Sequence, residues 1–432
     1  MKGAWRSGPL AVRSFRLLCG GQFASTIGDY CYAVALPWLV LSAHGGALLL
    51  GAVLACYGVP RTVLIPVGGV LADKVGPRTL MLAADTARCA LVAGLAVLAA
   101  RHVTSLAALG PIAALIGAGE GLFIPASFAI MPSLLDGERL AAGNALSTAA
   151  VQAGSLLGPA LGGALVAATR SSTAAFAVDA VSFGVSALTL LLIPRRPASG
   201  SVAAVASGTA EPDDAGGGVL ALLRRSRELQ VILVVVVAAN LASGGMGDVA
   251  LPALAHASYG AAGYGALLAC FAVGGIAGTL AAARTGSLRA PATFASAVFL
   301  VEAAAIALVP YLGGKAGAAA MLGVVGACNG LGNVTMLTVL QKWVSPGLLG
   351  RVMGVLMLCS FGTFPLSVAV SGVLVRHLGP ASFFPVAGAL LGVAILGGLT
   401  QREFRAFGAR EEVVPEAADV AADVQAAEGS RK

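Results

Sequence analysis

The stretch GGVLADKVGPRTL, residues 68–80, gathers Asp73, Lys74 and Arg78 into one short turn between two apolar runs, 48–71 and 79–100. Each run supplies the roughly 20 apolar residues that a helix needs to cross the hydrocarbon core of a bilayer. Charges confined to such a turn mark a helical hairpin that crosses a membrane twice and turns at its surface. Read outward from this hairpin, the chain shows further apolar runs at 15–41, 106–131, 141–167, 173–193, 229–253, 262–283, 291–311, 316–341, 350–375 and 380–400. The fold class is therefore all-α and polytopic, with twelve transmembrane helices.

Composition agrees. The 432 residues are 58% hydrophobic and 11% charged, with mean hydropathy +0.89. A soluble domain carries about 25% charged residues, so too little charge is present here to cover a water-exposed surface. Disorder, a disulfide scaffold and a nucleic-acid-binding domain are excluded. The seven cysteines are odd in number, lack CxxC spacing and fall in or beside apolar runs, so they read as small buried hydrophobes. No small-residue cleavage site follows a short apolar core at the N-terminus, so the first span is expected to be retained.

Net charge is +7, and its placement orients the chain. Of the 27 basic residues all but six fall in segments that share one side of the membrane. The six are Arg101, Arg170, Lys315 and Arg376 in loops on the other side, and Arg61 and Arg88 inside spans. By the positive-inside rule both termini are expected in the cytoplasm, and the basic excess requires no nucleic-acid partner.

Four segments result: a six-helix bundle over 1–193, a cytoplasmic linker over 194–228, a second six-helix bundle over 229–400 and a tail over 401–432. The linker ends in LALLRRSREL, which suits a short amphipathic helix on the inner leaflet. The tail is acidic and alanine-rich from Glu411 onward, and disorder is expected there. The halves resemble each other: GAVLACYGV at 51–59 recurs as GALLACFAV at 265–273, an offset of 214 (265 − 51). Gly163-Ala-Leu-Val recurs as Gly372-Val-Leu-Val at an offset of 209 (372 − 163), which sets Glu120 opposite Asn329. Parallel six-helix repeats are a transporter architecture, with the substrate site expected at mid-membrane between them.

The turn at 68–80 resembles the signature loop of the major facilitator superfamily, G-x-L-A-D-R/K-x-G-R/K-R/K. Gly69, Leu71, Ala72, Asp73, Lys74, Gly76 and Arg78 match, and Pro77 stands where a basic residue is usual. The resemblance implies that the loop braces the cytoplasmic gate against the eleventh helix, with Asp73 and Arg78 as gate residues. A plain inward-facing basic turn is the alternative. GSLLGPALGG in the fifth span resembles the glycine–proline motif of drug/proton antiporters, carried by Gly154, Gly158, Pro159 and Gly162. Tight packing in any membrane bundle would also use that stripe. GQFASTIGDYCYAVALPWLVL, GEGLFIPASFAIMPSLLDGERLAAGNAL and SPGLLGRVMGV are similar to the macrolide-efflux and siderophore-exporter branch, so the likeness covers about residues 13–400.

Ionisable groups inside spans cost at least ~3 kcal/mol when unpaired and are functional candidates. Gln22, Ser25, Asp29 and Tyr32 share one face of the first helix. At 1.5 Å per residue Asp29, Arg61 and Glu120 all lie about 16–21 Å from the cytoplasmic helix ends. They are expected to form one cluster in the N-terminal half, with Arg61 pairing one acid and the other free to carry a proton. A fixed structural ion pair is the competing reading. Asp85 and Arg88 are expected to pair with the signature loop. Polar stripes complete the cavity: Asn144, Thr148, Gln152 and Ser155 in helix five, Asn329 and Asn333 in helix ten, and Thr363, Ser367 and Ser371 in helix eleven. Taken singly, each of these residues is read as interhelical glue before cavity lining. Asp248 and Asp179 fall towards the outer ends of their helices, where solvation is expected, and Glu302 has no assigned role. The four histidines fall in or near outer loops and carry no metal or sensor assignment.

No G-x-x-x-x-G-K-S/T loop or soluble nucleotide domain supports an ATP-driven pump. The reading is a proton-coupled exporter of a small amphipathic organic molecule, an antibiotic or natural product, acting as a monomer without cofactor or metal. A siderophore or lipid-like metabolite as cargo, or uptake by symport, stays open. A polytopic enzyme or a non-transporting receptor is the alternative from another class, and solute-dependent proton movement separates them.

Overall fold

The computed structural model describes residues 8–43, 46–135, 137–194, 226–282, 290–344 and 346–407. Twelve helices long and apolar enough to span a bilayer are present among them. They are α1 Arg13–Ser42, α2 Gly46–Val75, α3 Pro77–Ala100, α4 Leu106–Leu134, α5 Gly137–Thr169, α6 Thr173–Leu192, α7 Arg227–Ser258, α8 Gly260–Ala282, α9 Pro291–Leu308, α10 Gly314–Trp343, α11 Pro346–Leu378 and α12 Pro380–Thr400. Each end lies within five residues of the boundary read from hydropathy. The agreement has a physical cause: in hydrocarbon every backbone polar group must be satisfied within its own segment, so apolar length dictates helix length.

The stretch LALLRRSREL lies outside the described residues up to Arg225, and its last residues, Arg227 to Leu229, open α7; the acidic tail lies outside them entirely. The tail region nevertheless begins with order. Arg402–Ala406 forms a short helix, α13, and Phe404 and Phe407 are buried beside it against Leu229 and Leu340. Two phenylalanines three residues apart outweigh the polarity of their neighbours at this point.

α1–α6 and α7–α12 form two bundles, and with an even number of spans both ends of the chain lie at the same end of the molecule, here the terminal end. Towards the opposite end one apolar core runs through both bundles, joining Leu36, Leu50 and Phe176 to Tyr264, Leu322 and Phe384. At the terminal end the core divides. One cluster around Phe15, Met81 and Leu134 belongs to the first bundle, and a separate one around Leu229, Val339 and Phe404 belongs to the second. The bundles are thus sealed along a seam at one end and parted at the other.

Glycines make the seam. Gly51 of α2 faces Gly372 of α11, and Gly163 of α5 faces Gly265 of α8. A methyl group added at Gly51, Gly372, Gly163 or Gly265 would lie 3.2, 3.3, 3.1 or 3.2 Å from the partner's Cα. Small residues at such crossings let backbones touch without side chains between them. Gly51 and Gly265 are repeat equivalents, as are Gly163 and Gly372, so the two contacts are related by the internal duplication. α2 and α8 begin at Gly46 and Gly260, again 214 apart, with φ of +69° and +73°. Inside each bundle the pattern repeats. Gly117 and Gly121 of α4 press on the carbonyls of Tyr57 and Arg61, and Gly326 and Gly330 of α10 press on those of Phe271 and Gly275. Every one of these four pairs matches its counterpart at the offsets 209 and 214.

Candidate functional site

At the inner limit of the seam lies an ion pair. Arg61 Nη2 of α2 is 3.1 Å from Glu120 Oε1 of α4, and Tyr57 donates its hydroxyl hydrogen to Glu120 Oε2. Tyr57 and Arg61 are four residues apart, so they share one face of α2 and approach the same carboxylate. The guanidinium carbon also sits 4.8 Å from the ring centre of Phe361 in α11, and Thr62 Oγ1 donates to the Phe361 carbonyl at 2.9 Å. One cation therefore touches both bundles. The i, i+4 spacing of Tyr57 and Arg61 is a signal that sequence reasoning passed over; nothing local marks Phe361.

Asp29 is the acid left over. It lies midway along α1, is exposed, and takes part in no ion pair among the described residues. Its helix presents other faces to its neighbours. Gly21 and Gly28 pack on α6, and Thr26, Ile27, Tyr30, Cys31 and Val34 pack on Gly154, Gly158 and Gly162 of α5. The remaining face carries Gln22, Ser25 and Asp29. Gln22 Oε1 is buried without a hydrogen-bond partner among the described residues, and the Gln22 backbone carbonyl accepts from Ser25 at 3.2 Å and Thr26 at 2.7 Å. The glycine stripe of α5 is thus a packing surface for the helix that carries Asp29, with Pro159 inside α5 and its carbonyl against Gly265 across the seam.

Other polar residues fall elsewhere than the stripes suggest. Asn329 turns into the second bundle, where Nδ2 donates to Glu302 Oε1 of α9 at 3.1 Å; it does not join Glu120. Glu302 is 2% exposed, and its second oxygen has no hydrogen-bond partner among the described residues. Asn333 is exposed, as are Asn144 and Thr148, while Gln152 is half-buried. Ser367 and Ser371 are buried and bond the backbone of α7, so they are glue; Thr363 bonds the carbonyls of Cys359 and Ser360 in its own helix. Asp179 is 1% exposed beneath Gly28 and receives the Ser182 hydroxyl, contrary to the solvation expected of it. A residue's distance from a helix end does not reveal which neighbour covers it.

Asp85 and Arg88 pair with each other at 2.5 Å and not with the signature loop. Ser186 of α6 donates to Asp85 at 2.6 Å, and Arg88 lies between the rings of Phe123 and Phe183 at 4.5 and 4.3 Å. Enclosed on all sides, the pair is a structural knot of α3, α4 and α6.

The signature stretch is mostly helix. α2 continues through Asp73 and Lys74 to Val75, and the turn is Gly76 alone, at φ +85°. Only glycine takes that left-handed conformation without strain. Pro77 then opens α3, where its missing N–H removes no hydrogen bond, which accounts for proline in place of a basic residue. Gly69 is half-buried and Asp73 and Lys74 are exposed. Arg78 donates to the carbonyls of Leu190 and Leu191 at 2.8 and 3.0 Å, placing a positive charge at the C-terminus of α6. Among the described residues no group of three or more His, Cys, Asp or Glu is arranged to hold a metal ion.

The family model for the Major Facilitator Superfamily matches residues 18–362. The chain belongs to this superfamily. Among superfamily relatives it is 28% identical over 386 residues to "Uncharacterized MFS-type transporter YfiS" of Bacillus subtilis, covering 87% of this chain and 89% of that protein. It is 29% identical over 186 residues to "Multidrug efflux pump Tap" of Mycobacterium tuberculosis, a match covering 40% of this chain and 42% of the pump. A solved POT family transporter, in complex with a thioalcohol-conjugated peptide, superposes with a TM-score of 0.69 at 15% identity over 90% of this chain and 96% of that one. The major facilitator fold of two six-helix bundles thus stands on sequence and structure together. The chain is a multi-pass membrane transporter of this superfamily.

Proposed function

We propose that this transporter exports a small amphipathic organic molecule, such as an antibiotic or other natural product, in exchange for protons, by alternating access between its bundles. The observation that carries the reading is the division of labour between two acids at one depth. Glu120 is neutralised by Arg61, while Asp29 is exposed and in no ion pair among the described residues. An acid held in that way can gain or lose a proton without breaking an ion pair. Asp29 is accordingly the proton carrier, and Arg61 with Glu120 the fixed charge pair beside it. Gln22, Gln152 and Asn333 provide polar contacts around the cavity, and Tyr57 and Phe361 supply the aromatic surface that an amphipathic cargo requires.

The positive-inside distribution sets the terminal end in the cytoplasm of a cell membrane, so the parted end opens inward and the seam closes the outside. In that orientation Asp73, Lys74 and Arg78 border the open cytoplasmic gate and would draw against α11 when the bundles rock. The partial similarity to Tap supports efflux of drugs as the direction and cargo class. Both halves of the pathway lie in one chain, so a monomer suffices.

The test uses cells lacking their main efflux pumps, with retention of a dye and antibiotic panel followed with and without a protonophore. Export predicts lower retention on expression of the protein and full recovery with protonophore. Higher retention on expression would instead make the protein an importer.

A further inference from the structure

Pro77 opens α3 and Pro291 opens α9, 214 residues apart (291 − 77). At that offset Glu302 of α9 is the repeat counterpart of Arg88 (302 − 88), and Phe299 is that of Asp85 (299 − 85). Asn329 of α10 stands opposite Glu120 at the offset of 209 (329 − 120). At this level the first bundle carries the knot of Asp85, Arg88 and Ser186. The second bundle carries an acid where the first has its arginine, and a phenylalanine where the first has the arginine's partner.

Glu302 is the one ionisable residue of α9. Asn329 Nδ2 donates to its Oε1 at 3.1 Å, while Oε2 is buried with no hydrogen-bond partner among the described residues. No ion pair to Glu302 is present among the described residues. The elements packed on α9 bring it no cation. α10 places Asn329 and the Cys328 thiol at this level, and its Lys315 and Lys342 lie near the two helix ends, each about 20 Å along the axis from Asn329. α12 carries no ionisable residue. α13 carries Arg402, Glu403 and Arg405, but meets α9 at Thr293, whose hydroxyl donates to the Arg405 carbonyl about 13 Å along α9 from Glu302. On α8 the ionisable groups are Cys270 and Tyr264, the latter bonded to the Gly247 carbonyl. A carboxylate withdrawn from water without a counter-charge is so costly that the group takes up a proton instead.

A groove of about 360 Å³ lies between α8, α9 and α10, lined by Gly278, Val298, Val301, Ala327, Cys328 and Leu331 among others. Its lining is apolar, as suits a surface turned to lipid. Val298 is one helical turn before Glu302, and Cys328 adjoins Asn329, so the groove runs over the turns of α9 and α10 that carry the acid and the amide.

We propose that Glu302 is a proton-binding site of the second bundle, held as the neutral acid at neutral pH by its enclosure with Asn329, and that the groove makes it the site at which lipid-soluble carbodiimides modify the chain. In that reaction the carboxyl adds across a C=N bond of the carbodiimide: its oxygen bonds the central carbon and its proton passes to nitrogen. The resulting O-acylisourea rearranges to an N-acylurea, and nothing leaves. The acid form supplies the proton, so the modification reports protonation. The proposal needs neither export nor a proton carried by Asp29, so its outcome is separate from that of the transport tests.

Two readouts on the full chain in lipid bilayers test it at neutral pH. The infrared difference between the parent and Glu302→Gln is expected to contain the carbonyl band of a protonated carboxyl. A fluorescent, lipid-soluble carbodiimide, mapped by peptide mass spectrometry, is expected to mark Glu302 in the parent. Asn329→Lys supplies the second bundle with the cation that Arg88 supplies to the first. It is expected to lower that labelling by about tenfold or more and to remove the protonated-carboxyl band, since an adjacent cation favours the ionised form. Asn329→Gln keeps the amide and is expected to label like the parent, which separates loss of the proton from loss of folding. A carboxylate band in place of the acid band, no mark on Glu302, parent-like labelling of Asn329→Lys, or an equal fall in Asn329→Gln and Asn329→Lys would each overturn the proposal.

Discussion

Arg61 lies 3.1 Å from Glu120 in its own bundle and 4.8 Å from the ring of Phe361 in the other. The side chains of the pair are 17% and 25% exposed, so their attraction is partly screened. Neutralising one partner strands the other, and a thermal-melt double-mutant cycle reads that cost. Arg61→Gln and Glu120→Gln should each destabilise the protein in detergent by about 1–2 kcal/mol, with the double variant at least as stable as either single. Purely additive losses would mean that the pair is not coupled.

Asp85 and Asp29 should part company in the same assay. Asp85→Asn leaves Arg88, 3% exposed, without its counter-charge, and a loss of about 3–5 kcal/mol or failure to accumulate is expected. Asp29→Asn removes an exposed acid that is in no ion pair among the described residues, and should melt within about 0.5 kcal/mol of the parent while abolishing gradient-driven transport. Equal melting of the two variants would contradict the assignment of one acid to structure and the other to function.

The glycine seam makes a steric prediction. Gly372→Val in one seam contact and Gly265→Val in the other overpack the sealed state by about 1–3 kcal/mol. Each should lower steady-state transport by about tenfold, since 1.4 kcal/mol corresponds to one decade. Gly397, with open space around its Cα, is the control: Gly397→Val should transport normally. A seam that tolerates valine as well as position 397 does is not the closing surface.

Asp73 tests the gate. It is exposed and forms no ion pair among the described residues, so Asp73→Asn should leave the melting temperature unchanged. Turnover should nevertheless fall severalfold, because its partner is met only when the terminal end closes. Normal transport by Asp73→Asn would remove the gating role.

The fold was legible because hydrocarbon leaves a spanning backbone one choice, and apolar length reports it. The duplication was legible from two segments, but its structural meaning was not. In a chain with 58 glycines, the pairing of Gly117 with Gly326 or Gly121 with Gly330 carries no signal until the carbonyls they press upon are seen. Depth along each helix brought Asp29, Arg61 and Glu120 to one level. Helix rotation decided which acid took the arginine, and hydropathy holds no information on rotation. Asn329 was misplaced for the same reason, since a polar stripe does not name the helix it faces. Residues Met246–Ala250 of α7 are wound as a π turn around Asp248, invisible locally because Ser367 and Ser371, which bond Gly245 at its start, lie about 120 residues away in the chain.

Substrate flux in proteoliposomes under an imposed pH gradient, measured for the parent protein and Asp29→Asn with a substrate found in the retention panel, decides whether Asp29 carries the coupling proton. The parent is expected to accumulate substrate against its concentration gradient when the pH gradient is imposed. Asp29→Asn should lose that accumulation while still exchanging labelled for unlabelled substrate. Gradient-driven accumulation by Asp29→Asn at the rate of the parent would contradict that role for Asp29.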